Sequence, residues 1–231
     1  MNFPSQIVQN ILIDLDGTLT DPKVGIHSCI RYAMEKLNQT LDKNIDLDWT
    51  IGPPLKDSFI QLLGSDKHAD QALELYRERF APIGLFENTV YPHVNTTLQT
   101  LVERGYRLYL ATAKPHVYAK KILTHFGLSE YFTQIYGSEL TGERTNKGEL
   151  IAYILEQEQL NPKTCVMVGD RKYDILGAQQ NGVATVAVTY GYGTAEEIEN
   201  ADVQIHSFDD LLNLSSLSNT PNTTKTAPTS A

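Results

Sequence analysis

The chain is expected to fold as an α/β protein, a doubly wound parallel sheet carrying an inserted set of helices, and three observations predict it. Short apolar runs such as Ile11-Leu12-Ile13 and Thr164-Cys165-Val166-Met167-Val168 alternate with stretches of helical periodicity, the pattern of strands buried on both faces with crossover helices between them. Between Asp21 and about Asn88 that alternation stops, and only helical periodicity is legible. Where the apolar runs end, carboxylates and a threonine follow, and in open α/β sheets the carboxyl ends of the strands are where ligands collect.

Taken in order, the first strand is Ile11 to Ile13, followed by Asp14-Leu15-Asp16-Gly17, in which Gly17 lets the chain turn. Helices are expected over Ile26 to Leu37, Leu55 to Leu63 and Ala69 to Phe80, with a polar link from Asn38 to Trp49 and a stiff Ile51-Gly52-Pro53-Pro54 loop. The sole tryptophan, Trp49, is read as a core residue of this helical part. After Tyr91-Pro92 the rhythm resumes. A helix spans Val94 to Arg104, and a strand spans Tyr106 to Ala111 and ends at Thr112. A helix from His116 to Phe126 and a short strand around Ile135-Tyr136 come next, then the polar loop Ser138 to Asn146 and a helix from Lys147 to Gln157. The strand Thr164 to Val168 ends at Gly169-Asp170, a helix spans Tyr173 to Asn181, and strands follow at Thr185 to Val188 and Val203 to Ile205 before a last helix from Phe208 to Leu214. This arrangement divides the chain into a Rossmann-like core at 1–20 and 89–214 and a helical insertion at 21–88. The tail at 215–231, rich in Ser, Thr, Asn and Pro, is expected to be disordered. There is no internal repeat.

With 231 residues, a net charge of −9 and 41% hydrophobic residues, the chain is an acidic globular protein long enough for one large core and a small accessory domain. An acidic balance argues against nucleic acid as a partner, because sequence-independent binding needs clustered Lys and Arg. No apolar run reaches the roughly 18 residues of a membrane span, and the N-terminus MNFPSQIVQN lacks the blocks of a signal peptide, so a cytoplasmic location is expected. Cys29 and Cys165 lie far apart in unlike contexts and read as two reduced, buried thiols.

Asp14 and Asp16 are two residues apart and project the same way from a strand end. Two carboxylates so close, beside a hydrophobic strand, repel each other unless a cation or a proton relieves them. A parallel sheet brings Asp14, Asp16, Thr112, Asp170 and Asp174 to one rim, with Lys147 opening a helix nearby. Such an oxygen-rich site suits Mg²⁺, a hard cation that prefers carboxylate and phosphate ligands.

These residues resemble the motifs of the haloacid dehalogenase superfamily: Asp14-Leu15-Asp16-Gly17-Thr18, then Thr112, then Lys147, then Gly169-Asp170-Arg171-Lys172-Tyr173-Asp174. The resemblance covers the core from about Gln6 to Leu214 and is strongest to phosphoglycolate phosphatases and bacterial 5′-nucleotidases, with the insertion in the place of a mobile cap. It implies that Asp14 is the nucleophile, forming an aspartyl-phosphate, and that Asp16 is the acid and base, with a pKa well above the usual ~3.9. It further implies Mg²⁺ held by Asp14, the Asp16 backbone carbonyl and Asp170, with Asp174 ordering the metal's waters or Lys147. Thr112, the Ala113 amide and Lys147 would bind the phosphoryl oxygens. Gly52, Pro53, Pro54 and Lys56 are the residues of the insertion expected to reach the site.

Several alternatives stand beside this reading. Thr112 could instead cap the following helix. Lys114 rivals Lys147 for the phosphate, and Lys147 is preferred because the resemblance places a helix-opening lysine there, with Asn146 as its N-cap. Arg171 and Lys172 read as a solvated loop more than as substrate contacts, and no histidine, His116 included, is given a catalytic role. Many relatives have Asn where this chain has Ala113 and Pro where it has Gly148. The expected activity is hydrolysis of a small phosphomonoester, phosphoglycolate or a nucleoside 5′-monophosphate, by a monomer or homodimer without membrane attachment. A phosphosugar mutase or a non-enzymatic phospho-acceptor is the alternative.

Overall fold

The computed structural model describes residues 8–213, so the tail expected to be disordered lies outside the described residues. Its centre is β1 (Asn10–Ile13), buried along its whole length. Ile11 and Ile13 pack into one apolar cluster and Leu12 into another, so the strand is covered on both faces, as a run without polar alternation requires. Around β1 lie β4 (Arg107–Pro115), β5 (Gln134–Ser138), β6 (Cys165–Gly169), β7 (Ala184–Val188) and β8 (Val203–Ile205), all parallel, in the order β5-β4-β1-β6-β7-β8. Helices α4 (Val94–Glu103) and α5 (His116–His125) send Val94, Leu98, Ala119 and Ile122 into the cluster of Ile11 and Ile13, and α6 (Lys147–Gln157) sends Leu150, Ile151 and Ile154 to Leu12. Helix α7 (Lys172–Gln180) follows β6. The doubly wound fold is thus present, and its strand order reverses between β1 and β6. At that switch point the crevice at the carboxyl ends opens.

Between β2 (Thr20–Asp21) and β3 (Thr89–Val90) the chain forms α1 (Lys23–Lys36), α2 (Leu55–Leu63) and α3 (Ala69–Arg79). The two short strands pair antiparallel, Thr20 opposite Val90 and Asp21 opposite Thr89, and the sequence reading contained neither. Two residues are too few for a periodicity. Ile26, Ile30 and Met34 of α1, Phe59 of α2 and Ala72 and Tyr76 of α3 are buried, and α3 runs into a π turn at Phe80–Gly84.

Three expectations need correction. Thr112 does not end its strand: it pairs with Gly137, and β4 continues through an irregular register to Pro115, where α5 begins. Trp49 is half-buried on a cavity wall, its indole N–H donating to the Asp46 carbonyl at 3.1 Å, because its short 3-10 helix (Asp48–Thr50) turns Thr50, not the ring, inward. Arg171 is no solvated residue but 7% exposed. The last helix is 3-10, Phe208–Asn213, within the described residues, and both cysteines are free and buried as expected.

Candidate active site

Register places the site. Ile13 lies opposite Leu110 and Val168, so the next residues, Asp14, Ala111 and Gly169, reach the rim together. The Asp14 amide still donates to the Val168 carbonyl at 2.9 Å, which holds the carboxylate at the crevice floor. Lys147, the first residue of α6, sends its ammonium across the same floor. It lies 2.9 Å from Asp14 Oδ1 and 2.6 Å from Asp174 Oδ1 and donates to the Ala111 carbonyl at 2.7 Å. Asn146 caps α6 by accepting the Glu149 amide at 3.2 Å, as expected, so the helix start that carries Lys147 is fixed. Burial alone would lower the Lys147 pKa, but the Asp14 and Asp174 carboxylates outweigh it and hold the ammonium charged.

Asp170 is fully buried. Its Oδ2 accepts the Tyr192 amide at 2.7 Å, while its Oδ1 has no hydrogen-bond partner. Burial, followed by repulsion from Asp174 and Asp14, pushes its pKa well above the usual carboxylate range. Gly17 makes this approach possible: its φ is 81°, and a Cβ there would fall 2.2 Å from Asp170 Oδ2. Among the described residues, Asp14, Asp170 and Asp174 can each offer an oxygen within 4.8 Å of the others. An orphaned buried carboxylate oxygen, in an all-oxygen set bearing more negative charge than Lys147 balances, fits a hard divalent cation. The Asp16 side chain is not part of that trio.

Asp16 instead faces Lys114, whose ammonium is 2.8 Å from its Oδ2 and 4.7 Å from the Phe80 ring centroid. Burial raises the Asp16 pKa, against the pull of Lys114. Both lysines weighed in the sequence therefore stand in the site, one on each carboxylate. Thr112 is buried and its hydroxyl accepts the Lys114 amide at 3.3 Å; α5 is preceded by Pro115, so Thr112 does not cap it.

A cavity of about 330 Å³ opens beside Asp14 and Asp16, with Thr112, Ala113 and Lys114 on its core side. Gly52, Pro53, Pro54 and Lys56 reach it from the insertion, Lys56 ion-paired with Asp70 at 2.6 Å on an exposed rim. A second, wider cleft of about 700 Å³ lies beyond the Gly52-Pro53-Pro54 loop, between Trp49 and the starts of α6 and α7, and includes Lys147 and Ala113. His116 Nδ1 is 3.3 Å from the Glu139 carboxylate.

Two residues of the crevice were not singled out from the sequence. Tyr192 holds Asp170 through its amide and Asp21, at the entry to the insertion, through its hydroxyl. Glu197, in α8 (Ala195–Ile198), pairs with Arg171 at 2.7 Å. The Thr194-to-Glu197 spacing is a capping-box pattern and is the signal that marks this helix, with the Thr194 hydroxyl accepting the Glu197 amide at 3.3 Å.

A family model described as haloacid dehalogenase-like hydrolase matches residues 11–188. The chain is 47% identical over 190 residues to a 5′-nucleotidase of Pseudomonas aeruginosa, covering 82% of this chain and 86% of that protein. It is 29% identical over 226 residues to a phosphoglycolate phosphatase of Vibrio parahaemolyticus, covering 92% and 98%. The solved structure of Mycobacterium tuberculosis protein tyrosine kinase A superposes with a TM-score of 0.78 at 32% identity, covering 92% of this chain and 99% of that one. No helix among the described residues is long and apolar enough to cross a membrane. By the family model, these relatives and the carboxylate rim together, the chain belongs to the haloacid dehalogenase-like hydrolases and is a phosphoric monoester hydrolase of that family.

Proposed function

We propose that the chain is a Mg²⁺-dependent phosphatase of small phosphomonoesters, with Asp14 as nucleophile and Asp16 as acid and base. The observation that carries this reading is the Lys147 ammonium set between Asp14 and Asp174 beside the unpartnered oxygen of Asp170, with Asp16 facing the adjoining cavity. Asp14 Oδ attacks phosphorus in line and the bond to the leaving oxygen breaks, forming an aspartyl-phosphate. Asp16, whose pKa is raised by its burial, gives its proton to that oxygen, so the alcohol departs neutral. Asp16 then takes a proton from water, the water oxygen attacks the phosphorus, and phosphate leaves with Asp14 restored. Lys147, the Thr112 hydroxyl and the Ala113 amide bind the phosphoryl oxygens, where charge accumulates. Mg²⁺ held by Asp14, Asp170 and the Asp16 carbonyl would neutralise charge on the phosphoryl group and the carboxylates. Asp174 holds Lys147 in place.

The helical insertion at 21–88 acts as a cap whose Gly52-Pro53-Pro54 loop closes over the leaving group and excludes water. The cavity beside Asp16 is lined by Ile26, Tyr76, Phe80 and Tyr118, while its Lys56 and Arg77 are already paired with Asp70 and Glu74. Such a lining suits an uncharged ring more than the second carboxylate of phosphoglycolate. Together with the likeness to a 5′-nucleotidase, this favours a nucleoside 5′-monophosphate. The test is phosphate release from phosphoglycolate, nucleoside 5′-monophosphates and sugar phosphates, with Mg²⁺ and with EDTA. EDTA-sensitive release, greatest for a nucleotide, is expected, and activity indifferent to EDTA contradicts the reading.

A further inference from the structure

The Arg171 guanidinium belongs to no step of the proposed chemistry, yet every face of it is engaged. Its Nε and Nη2 donate to the two Glu197 carboxylate oxygens at 2.7 and 3.2 Å, and its Nη1 donates to the carbonyl of Ile51 in the helical insertion. The loop runs directly against the arginine stem: Gly52 has a φ of 108°, and a Cβ there would lie 2.9 Å from Arg171 Cγ. The main chain of the same residue points the other way, its amide donating to Asp174 Oδ2 at 3.1 Å, and Asp174 in turn pairs with Lys147, which pairs with Asp14. A continuous set of contacts therefore links the Ile51 carbonyl to the nucleophile. The loop so tethered, Gly52-Pro53-Pro54, lines both cavities and separates them, and its two prolines leave it little freedom to find that place unaided.

We infer that Arg171 is a positioning residue: with Glu197 as its anchor, it fixes the Gly52-Pro53-Pro54 loop over the crevice and sets the loop's register against the phosphoryl pocket. The location of the substrate rests on the phosphatase reading, but the tether does not. A lysine at this position keeps the charge beside Glu197 and cannot span Glu197 and Ile51 at once, because only the guanidinium is a fork.

The sole tryptophan, Trp49, stands two residues before Ile51 on the wall of the wider cleft and reports the loop directly. In Arg171→Lys, acrylamide quenching of Trp49 fluorescence is expected to rise. With p-nitrophenyl phosphate as the probe, KM is expected to rise about tenfold, the scale of one charge-assisted hydrogen bond, with kcat little changed, because the loop grips the leaving group and not the phosphorus. Unchanged quenching in a folded variant overturns the tether, and so does a fall in kcat at constant KM, which would place Arg171 in the chemistry. Should Arg171→Lys fail to fold, Glu197→Gln decides on the same quenching: a rise supports the tether and a wild-type value overturns it. Failure of the wild-type protein to hydrolyse p-nitrophenyl phosphate would count against the phosphatase reading alone, since the quenching still decides the tether.

Discussion

Lys114 holds its ammonium 2.8 Å from the Asp16 carboxylate, and both side chains are nearly closed off from solvent, at 7% and 13% exposed. Burial is the main force that raises the Asp16 pKa, and Lys114 is the main force that opposes it. An acid that protonates the leaving oxygen loses function as pH rises through its pKa. Removing the opposing cation raises that pKa further, so in Lys114→Met the alkaline limb of kcat/KM is expected to move to higher pH. The pH–rate profiles of the two proteins check this, and a limb that stays or moves to lower pH contradicts the assignment of Asp16 as the acid.

Asp170 brings a buried carboxyl group with an unpartnered oxygen into a site where Asp14 and Asp174 already share one ammonium. A cation that binds only the folded state adds about 2.7 kcal/mol at a hundredfold excess over its Kd. Mg²⁺ is therefore expected to raise the Tm of the wild-type protein and to leave Asp170→Asn unaffected, while the variant without metal is the more stable because a repulsion is gone. Differential scanning calorimetry with and without Mg²⁺ reads both effects. Equal Mg²⁺-induced shifts in the two proteins contradict the site.

Gly17 lets the turn after β1 touch Asp170. Alanine there adds strain of about 1–2 kcal/mol for the left-handed backbone and sets a methyl group 2.2 Å from the present position of Asp170 Oδ2. Gly17→Ala is expected to lower the Tm and to weaken Mg²⁺ binding at least about tenfold. Titration calorimetry measures it, and wild-type affinity would show that Asp170 is not held by this contact.

Much of the site was legible because its residues sit at ends of strands whose apolar runs are unambiguous. Ile11-Leu12-Ile13 and the run before Asp170 mark β1 and β6, the two strands that flank the switch point, so the carboxylates after them had to meet. Lys147 was marked by the family resemblance, with Asn146 as the N-cap of the helix it opens. What escaped depends on partners distant in sequence. Nothing local in Arg171 announces burial; Glu197 and the Ile51 carbonyl impose it from two other elements. The extent of β4 past Thr112 is set by pairing with β5 and not by its own residues, and β2 and β3 exist only because the chain leaves and re-enters the core side by side. Lys114 seemed a competitor of Lys147, since one sequence cannot show that two carboxylates each take a lysine.

The most direct test of the account is phosphate release by Asp14→Asn, measured with Mg²⁺ on a substrate that the wild-type protein hydrolyses. Asparagine keeps the shape and the place of the side chain on the crevice floor but cannot form the aspartyl-phosphate. Activity is expected to fall on the order of 10⁴-fold or more while the fold persists. Turnover at the wild-type rate in a folded Asp14→Asn protein would contradict nucleophilic attack by Asp14 and with it the central claim.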